Sequence, residues 1–348
     1  FFPQIVEGPI GRYDLLAEPL YSGHSFDYDR FTKGLQLMAW GLFKKMVIAD
    51  RANIFVSEVF GDYQKYSGSI ILLGGVLYTL QIYAEFSGCM DIVTGSAELF
   101  GVPLSQNFSR PFFSKSVAEF WRRWHITLGA WLRDYVFYSV SLSKPFMKLS
   151  RFAKEHLNEF LGSLIPASFA MFFTWFGIGF WHGAGVKYII YGLYYYAVMM
   201  LGMYLEPLFA RAFNAAHINR NSKPLNALRI LRTLILVVCG MTLFRAGTVG
   251  IWLGMIKRVF TGFGGGTFLN DALLCGMDKQ DFLIVILGAA VMLVISILQE
   301  KGINVRDTLA KQVLPVRWTV YICLVLSVII FGAYGIGYDA VDFIYGQF

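Results

Sequence analysis

The chain has 348 residues, of which 56% are hydrophobic and only 15% charged, against roughly 25% charge in a soluble domain. That balance excludes an ordinary soluble enzyme and points to a protein whose solvent is lipid. The formal net charge of +7 does not indicate a nucleic-acid binder, because the basic residues fall between apolar runs rather than on one solvated face.

The chain opens on Phe1-Phe2-Pro3 rather than Met and lacks a signal-peptide layout, so the sequence predicts a missing start. After a polar opening rich in Gly, Pro and Asp, Phe31 to Phe60 reads as helix, with Lys44, Lys45, Asp50 and Arg51 set among its apolar residues. Ser69 to Phe86 is a candidate span. From Asp91 to Tyr138 the pattern is mixed: Pro103 and Pro111 break it, and charges are too frequent for a simple span. Short or re-entrant helices covered by protein suit that stretch, since irregular backbone at membrane depth must be covered or line a cavity.

Spans are then expected at Gly162 to Phe180, Tyr188 to Leu205, Thr233 to Leu243 (extending back through Leu228), Phe282 to Leu298 and Trp318 to Gly337. Val249 to Asp281 reads as a loop. Within it Gly262 to Thr267, with Gly264-Gly265-Gly266, lacks the strand-then-helix context of a phosphate cradle. The fold class is an all-α polytopic integral membrane protein, taken as one domain over 1–348. By the positive-inside rule the basic stretch Arg110 to Lys154 and the loops with Arg211, Arg220, Lys223, Arg229, Arg232 and with Lys301, Arg306, Lys311, Arg317 are cytoplasmic. The His182 end of its span and the C-terminus then lie outside, and the Val249 to Asp281 loop fits this least well.

Phe180-Trp181-His182-Gly183 ends the uncharged run from Gly162, so an apolar span delivers an imidazole to its end. A titratable group there is disfavoured toward lipid, and His takes and returns protons near neutral pH. Trp175, Ile178 and Gly179 share its helical face, as the wall of a narrow pocket would require; interfacial anchoring and helix packing use the same residues. The second constellation runs Glu119-Phe120-Trp121-Arg122-Arg123-Trp124-His125-Ile126-Thr127-Leu128, then Trp131, Arg133, Asp134 and Tyr135. In a continuous helix Trp121 and Arg122 share the face of His125, where a cation lowers the imidazole pKa or clamps an anion. A juxtamembrane amphipathic helix reads the same way. Glu85 closes an apolar span and Asp91 follows, with Arg122, Arg123 or Arg133 as candidate ion-pair partners. His24, His156 and His217 look like solvated surface residues. Cys89, Cys239, Cys275 and Cys323 have no metal-like spacing and read as small core residues; no metal site is expected.

These blocks resemble the membrane-bound O-acyltransferase family, in particular its bacterial branch that O-acetylates exported polysaccharides. The resemblance rests on Phe2-Pro3-Gln4 with Gly8-Pro9-Ile10, Phe86-Ser87-Gly88 with Asp91, Asn107-Phe108 with Pro111, Glu119 through Leu128, Trp131 with Arg133-Asp134-Tyr135, Trp181-His182-Gly183 and the closing Phe343 to Phe348. It implies a ring of transmembrane helices with re-entrant or short helices around a central tunnel, and several N-terminal spans ahead of this chain. It maps the near-invariant family histidine onto His182 and a more variable polar position onto His125. Glu85, Cys89 and Phe137 to Val140 depart from the branch's pattern and bear on the acceptor.

On this reading His182 is the general base, and His125 orients the acyl carbonyl or stabilises the developing oxyanion, with Arg122 or Trp124 assisting. Trp181, Trp175, Arg122, Arg123, Trp124, Glu85, Asp91, Asn107, Arg133 and Asp134 bind substrate or support the site. No cofactor is bound; acetyl-CoA is the expected donor substrate. Expected partners are an extracytoplasmic acetyltransferase or esterase-like protein, an exported polysaccharide and membrane lipid, with no nucleic acid, in the bacterial inner membrane. D-alanyl transfer from a carrier protein is the alternative within the family. A proton-coupled transporter using His182 and Glu85 is the alternative outside it, although no duplicated halves are visible. A purely structural subunit would leave both histidines unused.

Overall fold

A computed structural model describes residues 1–5, 7–264 and 268–334. Among them the helices run α1 (Tyr13–Tyr21), α2 (Tyr28–Leu42), α3 (Asp50–Gly61), α4 (Gly68–Leu99), α5 (Val117–Arg123), α6 (Ile126–Leu132), α7 (Tyr138–Ser141) and α8 (Lys144–His156). There follow α9 (Glu159–Trp181), α10 (Val186–Ala215), α11 (Lys223–Arg245), α12 (Val249–Thr261), α13 (Phe268–Leu273), α14 (Lys279–Glu300), α15 (Val305–Ala310) and α16 (Leu314–Phe331). Strand-type pairing among the described residues is limited to one isolated antiparallel bridge, Phe108 to Trp124. Six helices, α4, α9, α10, α11, α14 and α16, are long and apolar enough to cross a membrane, so the chain is an all-α, multi-pass membrane protein.

The expected spans are present with shifted ends. Helix α4 continues past Phe86 to Leu99, so Glu85 lies inside the helix rather than at its end. Val249 to Asp281 is not simply a loop but carries α12 and α13. Helix α16 stops at Phe331, where Gly332 turns extended. Residues 335–337 of the expected last span, Gly265 to Thr267, and Phe343 to Phe348 lie outside the described residues.

The chain divides into two compact units, Phe1–Asn107 with Leu253–Phe348, and Phe108–Trp252. In the first, α2 and α4 pack through a glycine seam. A methyl on Gly34 would meet the carbonyl of Gly95 and one on Gly95 the carbonyl of Gly34, and Gly41 and Gly88 oppose each other in the same way. Small residues let two membrane helices approach backbone to backbone, where dispersion contacts are densest. Between α2 and α3 the backbone widens into a π-helical segment, Phe43–Ala49. It carries two consecutive buried lysines against α4: Lys44 Nζ lies 2.7 Å from Asp91 and donates to Ser87 Oγ at 2.9 Å, while Lys45 Nζ lies 3.4 Å from Glu85 and 2.5 Å from Asp50. Glu85 and Asp91 therefore have lysine partners within their own unit, where the sequence pointed to Arg122, Arg123 or Arg133. Buried charge at membrane depth persists only when paired in this manner.

The second unit is organised on α9. Asn158 caps its start by accepting from Leu161 N at 2.9 Å, relieving one of the orphaned N–H groups of the first turn. Close glycine contacts join α9 to α10. A side chain on Gly192 would strike the carbonyl of Trp175, and one on Gly179 the backbone of Tyr188 and Ile189. Helix α8 runs back along α9, with Phe146 against Phe169 and Phe173 and Ala153 beside Gly162. Tyr194 and Tyr195 of α10 donate to the carbonyls of Leu236 and Val237 on α11, at 2.8 and 3.2 Å.

Candidate active site

Both sequence-predicted catalytic histidines belong to the second unit, and each sits where regular helix ends. The sequence Ser116-Val117-Ala118-Glu119 starts α5 as a capping signature: Ser116 Oγ accepts from Glu119 N at 3.1 Å, and Glu119 Oε2 accepts from Lys115 N at 2.9 Å. Seven residues later the helix stops. Trp124 is extended and bridges Phe108, with Ser109 N donating to Arg123 O at 2.9 Å. Its ring is buried, stacked on Phe120 at 5.4 Å and edge-on to Phe108 at 5.1 Å.

His125 then takes φ 46° and ψ 54°, the left-handed region, and caps α6. A non-glycine residue there costs of order 1–3 kcal/mol and persists only where the surroundings dictate it, which makes the position a candidate for function. The single helix expected across Glu119 to Leu128 is thus two helices with His125 at the break. Trp121 and Arg122 are not its helical neighbours, and Arg122 is exposed. His125 is densely surrounded by protein yet keeps part of its surface open.

His182 ends α9. Its N–H donates to Gly179 O at 3.2 Å, and Gly183 continues at φ 134°, a conformation glycine tolerates, with the Tyr188 ring where a side chain would be. The ring of His182 is 6% exposed and stands edge-on to Phe244 at 5.1 Å and Tyr191 at 5.8 Å. Tyr191 leads to a larger cage. Trp121 meets Tyr195 at 4.8 Å, Trp175 at 5.2 Å and Tyr191 at 6.4 Å. The expected Trp175 is accordingly part of the wall, 4% exposed. Trp181 is not: it is 53% exposed and faces Trp131 at 6.4 Å.

Burial holds the His125 imidazole well below its ordinary value, and the neighbouring His182 adds to that; burial alone does the same for His182, the first residue past its span. The cause is desolvation of the imidazolium form and electrostatic proximity of the two rings, not the flanking Arg122 that the sequence suggested. Both rings are neutral near pH 7 and able to accept a proton or a hydrogen bond.

The remaining expected residues hold the frame. Arg123 pairs with Glu119 at 2.8 Å and donates to Arg110 O at 3.4 Å; Arg133 pairs with Asp134 at 2.8 Å on a half-exposed surface. Glu85, Asp91 and Asn107, all in the first unit, are described with it: the two acids serve the lysine pairs, and Asn107 is buried. Sequence reasoning did not select Tyr191, Tyr195 and Phe244. Tyr191 and Tyr195 lie four apart on α10, a spacing that puts both on one face, but nothing local says that the face meets His182.

A family model described as MBOAT, membrane-bound O-acyltransferase family, matches residues 1–230, a stretch that includes both histidines. The chain is 33% identical over 279 residues to the probable alginate O-acetylase AlgI of Pseudomonas aeruginosa, covering 80% of this chain and 48% of that protein. It is 32% identical over 198 residues to the peptidoglycan O-acetyltransferase of Helicobacter pylori, 56% of this chain and 34% of that one. To the teichoic acid D-alanyltransferase of Bacillus subtilis it is 28% identical over 212 residues, 59% of this chain and 50% of that one. The chain spans about half or less of the length of these relatives. With two thirds of its residues inside the family model and both histidines among them, the chain belongs to the membrane-bound O-acyltransferase family.

Proposed function

We propose that the protein transfers an acyl group, most specifically acetyl from cytoplasmic acetyl-CoA, to a hydroxyl of a cell-envelope polysaccharide or to a serine of an extracytoplasmic partner, in the bacterial inner membrane. The observation that carries the reading is one unit holding two imidazoles, His125 in left-handed backbone at the break between two helices and His182 walled by aromatic rings at the end of a span. An alcohol is a poor nucleophile until a base takes its proton in the transition state; His182 is that base. The thioester needs no comparable activation, only orientation, which falls to His125. The names of the relatives, which concern alginate, peptidoglycan and teichoic acid, support an envelope polymer as acceptor.

The test uses everted membrane vesicles supplied with radiolabelled acetyl-CoA. Label should accumulate on lumenal polymer or partner, protected from external deacetylase, and should be lost with His182. A second donor class is favoured by one feature: α8 turns Lys144, Lys148 and Arg151 outward in one stripe, a surface that suits an acidic carrier protein. Transfer of D-alanine from such a carrier, with no use of acetyl-CoA, would select that alternative.

His125 should matter by degree. Positioning can be partly taken over by water or another donor, so His125→Ala is expected to lower kcat about 10- to 100-fold and His125→Asn less, since the amide still hydrogen-bonds. Wild-type rates in both variants would remove His125 from the reaction path.

The depressed imidazoles also set a pH profile. A base with a lowered pKa stays unprotonated into mild acid, so kcat/KM should hold from pH 7.5 down past about 6.5, the ordinary imidazole value, and fall only below it. Because the folded protein binds fewer protons than the unfolded chain between the two values, stability also declines as pH drops below about 6.5. Initial rates taken before unfolding separate the two effects; an acid limb centred at or above pH 6.5 would contradict the assignment.

A further inference from the structure

We propose that the indole N–H of Trp121 is the donor that receives the acyl carbonyl oxygen during transfer; this deepens, and rests on, the acyltransferase reading. Trp121 lies in α5, one turn before the break that places His125. Its ring is held by Tyr195, Trp175 and Tyr191, and Tyr191 is the ring that stands against His182. Within this cage the indole nitrogen is shielded from solvent and has no hydrogen-bond partner among the described residues. The polar tips beside it are engaged: Tyr195 donates to Val237 O at 3.2 Å and Tyr191 reaches Met241 Sδ at 4.0 Å.

A buried N–H without an acceptor destabilises a fold, so a retained one calls for an explanation such as a ligand that completes it. Indole nitrogen donates only, never accepts. The missing partner is therefore an acceptor, which excludes a cation or an ammonium and fits a carbonyl oxygen. In the transfer the acceptor hydroxyl gives its proton to His182 while its oxygen bonds to the thioester carbon, and the carbonyl π electrons move onto oxygen. That oxyanion is where the Trp121 N–H acts. Collapse re-forms the carbonyl, breaks the C–S bond, and the leaving thiolate takes the proton back from the imidazolium, giving ester and thiol. A donor fixed among aromatic rings stabilises the developing charge more than water would, and indole does so at every pH.

Trp121→Phe keeps an aromatic ring at this position but removes the pyrrole half of the indole together with its N–H. With the full-length protein, acetyl-CoA as donor probe and isolated envelope polysaccharide as acceptor probe, kcat should fall about 100- to 1,000-fold, the range for a single oxyanion donor. KM for acetyl-CoA should stay within about threefold, and the thermal midpoint should change little, the space left by the lost pyrrole half being offset by removal of an unsatisfied donor. Trp121→His, which can place an N–H nearby, should retain more activity than Trp121→Phe. An undiminished kcat, or loss of activity in step with a lowered thermal midpoint, would overturn the proposal and leave Trp121 as packing. His182→Gln in the same assay separates the failures. If it remains active, the acyltransferase reading falls; if it is inactive while Trp121→Phe turns over normally, only this assignment does.

Discussion

His182→Gln is expected to abolish acyl transfer, to below a few per cent of the wild-type rate, while the protein inserts and purifies normally. General-base catalysis contributes roughly 100- to 10,000-fold by itself. No group in the following turn can replace it, since Gly183-Ala184-Gly185 carry no base and Lys187 is turned to the carbonyls of Phe244 and Ala246. Glutamine fills much of the imidazole's volume and can hydrogen-bond, so the packing of Phe244 and Tyr191 against this position should survive. The measurement is acetyl transfer per unit of purified protein beside a thermal midpoint. A variant with an unaltered midpoint and more than a few per cent activity would take the base role away from His182. Loss of both activity and folding would be resolved by His182→Asn, whose smaller amide leaves room for the rings to settle.

What could be read from the residues follows from the range of the forces that set each feature. Span positions were legible because a stretch such as Gly162 to Phe180 records its solvent residue by residue, and α9 occupies it with a capped turn added at its start. The chemistry of His182 was legible for the same reason: an apolar run ending in an imidazole is a local anomaly. The break at His125 was not. Residues 117–132 have no internal proline or glycine until Gly129, and local propensity favours one helix. What divides it is Phe108, sixteen residues away, claiming the backbone of Trp124. Pairing of acids and bases failed similarly. Arg122, Arg123 and Arg133 were the obvious cations by sequence, whereas Lys44 and Lys45 reach Asp91 and Glu85 through a π-helical turn and a glycine seam. The seam itself was written in the sequence, as Gly34 and Gly41 and again Gly88 and Gly95 at the same seven-residue spacing, but a spacing does not name its partner.

The charged pair inside that seam gives the largest expected effect on stability. Lys44 is nearly inaccessible, with Asp91 at 2.7 Å and Ser87 at 2.9 Å. Its Cβ packs on Gly88, so neither helix can withdraw to admit water without opening the α2 and α4 contact. Removing one partner therefore strands the other, and breaking a buried pair this way costs about 3–5 kcal/mol. Lys44→Met, which keeps the length of the side chain, and Asp91→Leu, which replaces the carboxylate with an apolar branch, are each expected to destabilise the protein on that scale. The double change Lys44→Met/Asp91→Leu should behave differently, because it removes the desolvation cost of both ions along with their attraction. It is expected to recover to within about 1 kcal/mol of the wild type or to exceed it. Unfolding of the four proteins in the same detergent, read by a probe in α4, yields the coupling between the two positions. Single variants as stable as the wild type, or a double variant whose loss is the sum of the two, would show that water or other groups already satisfy these charges. The result also bears on why the pair is kept. If an apolar replacement is stable yet slows acyl transfer, the lysines and acids of the first unit serve the reaction, and the stability they impose is incidental.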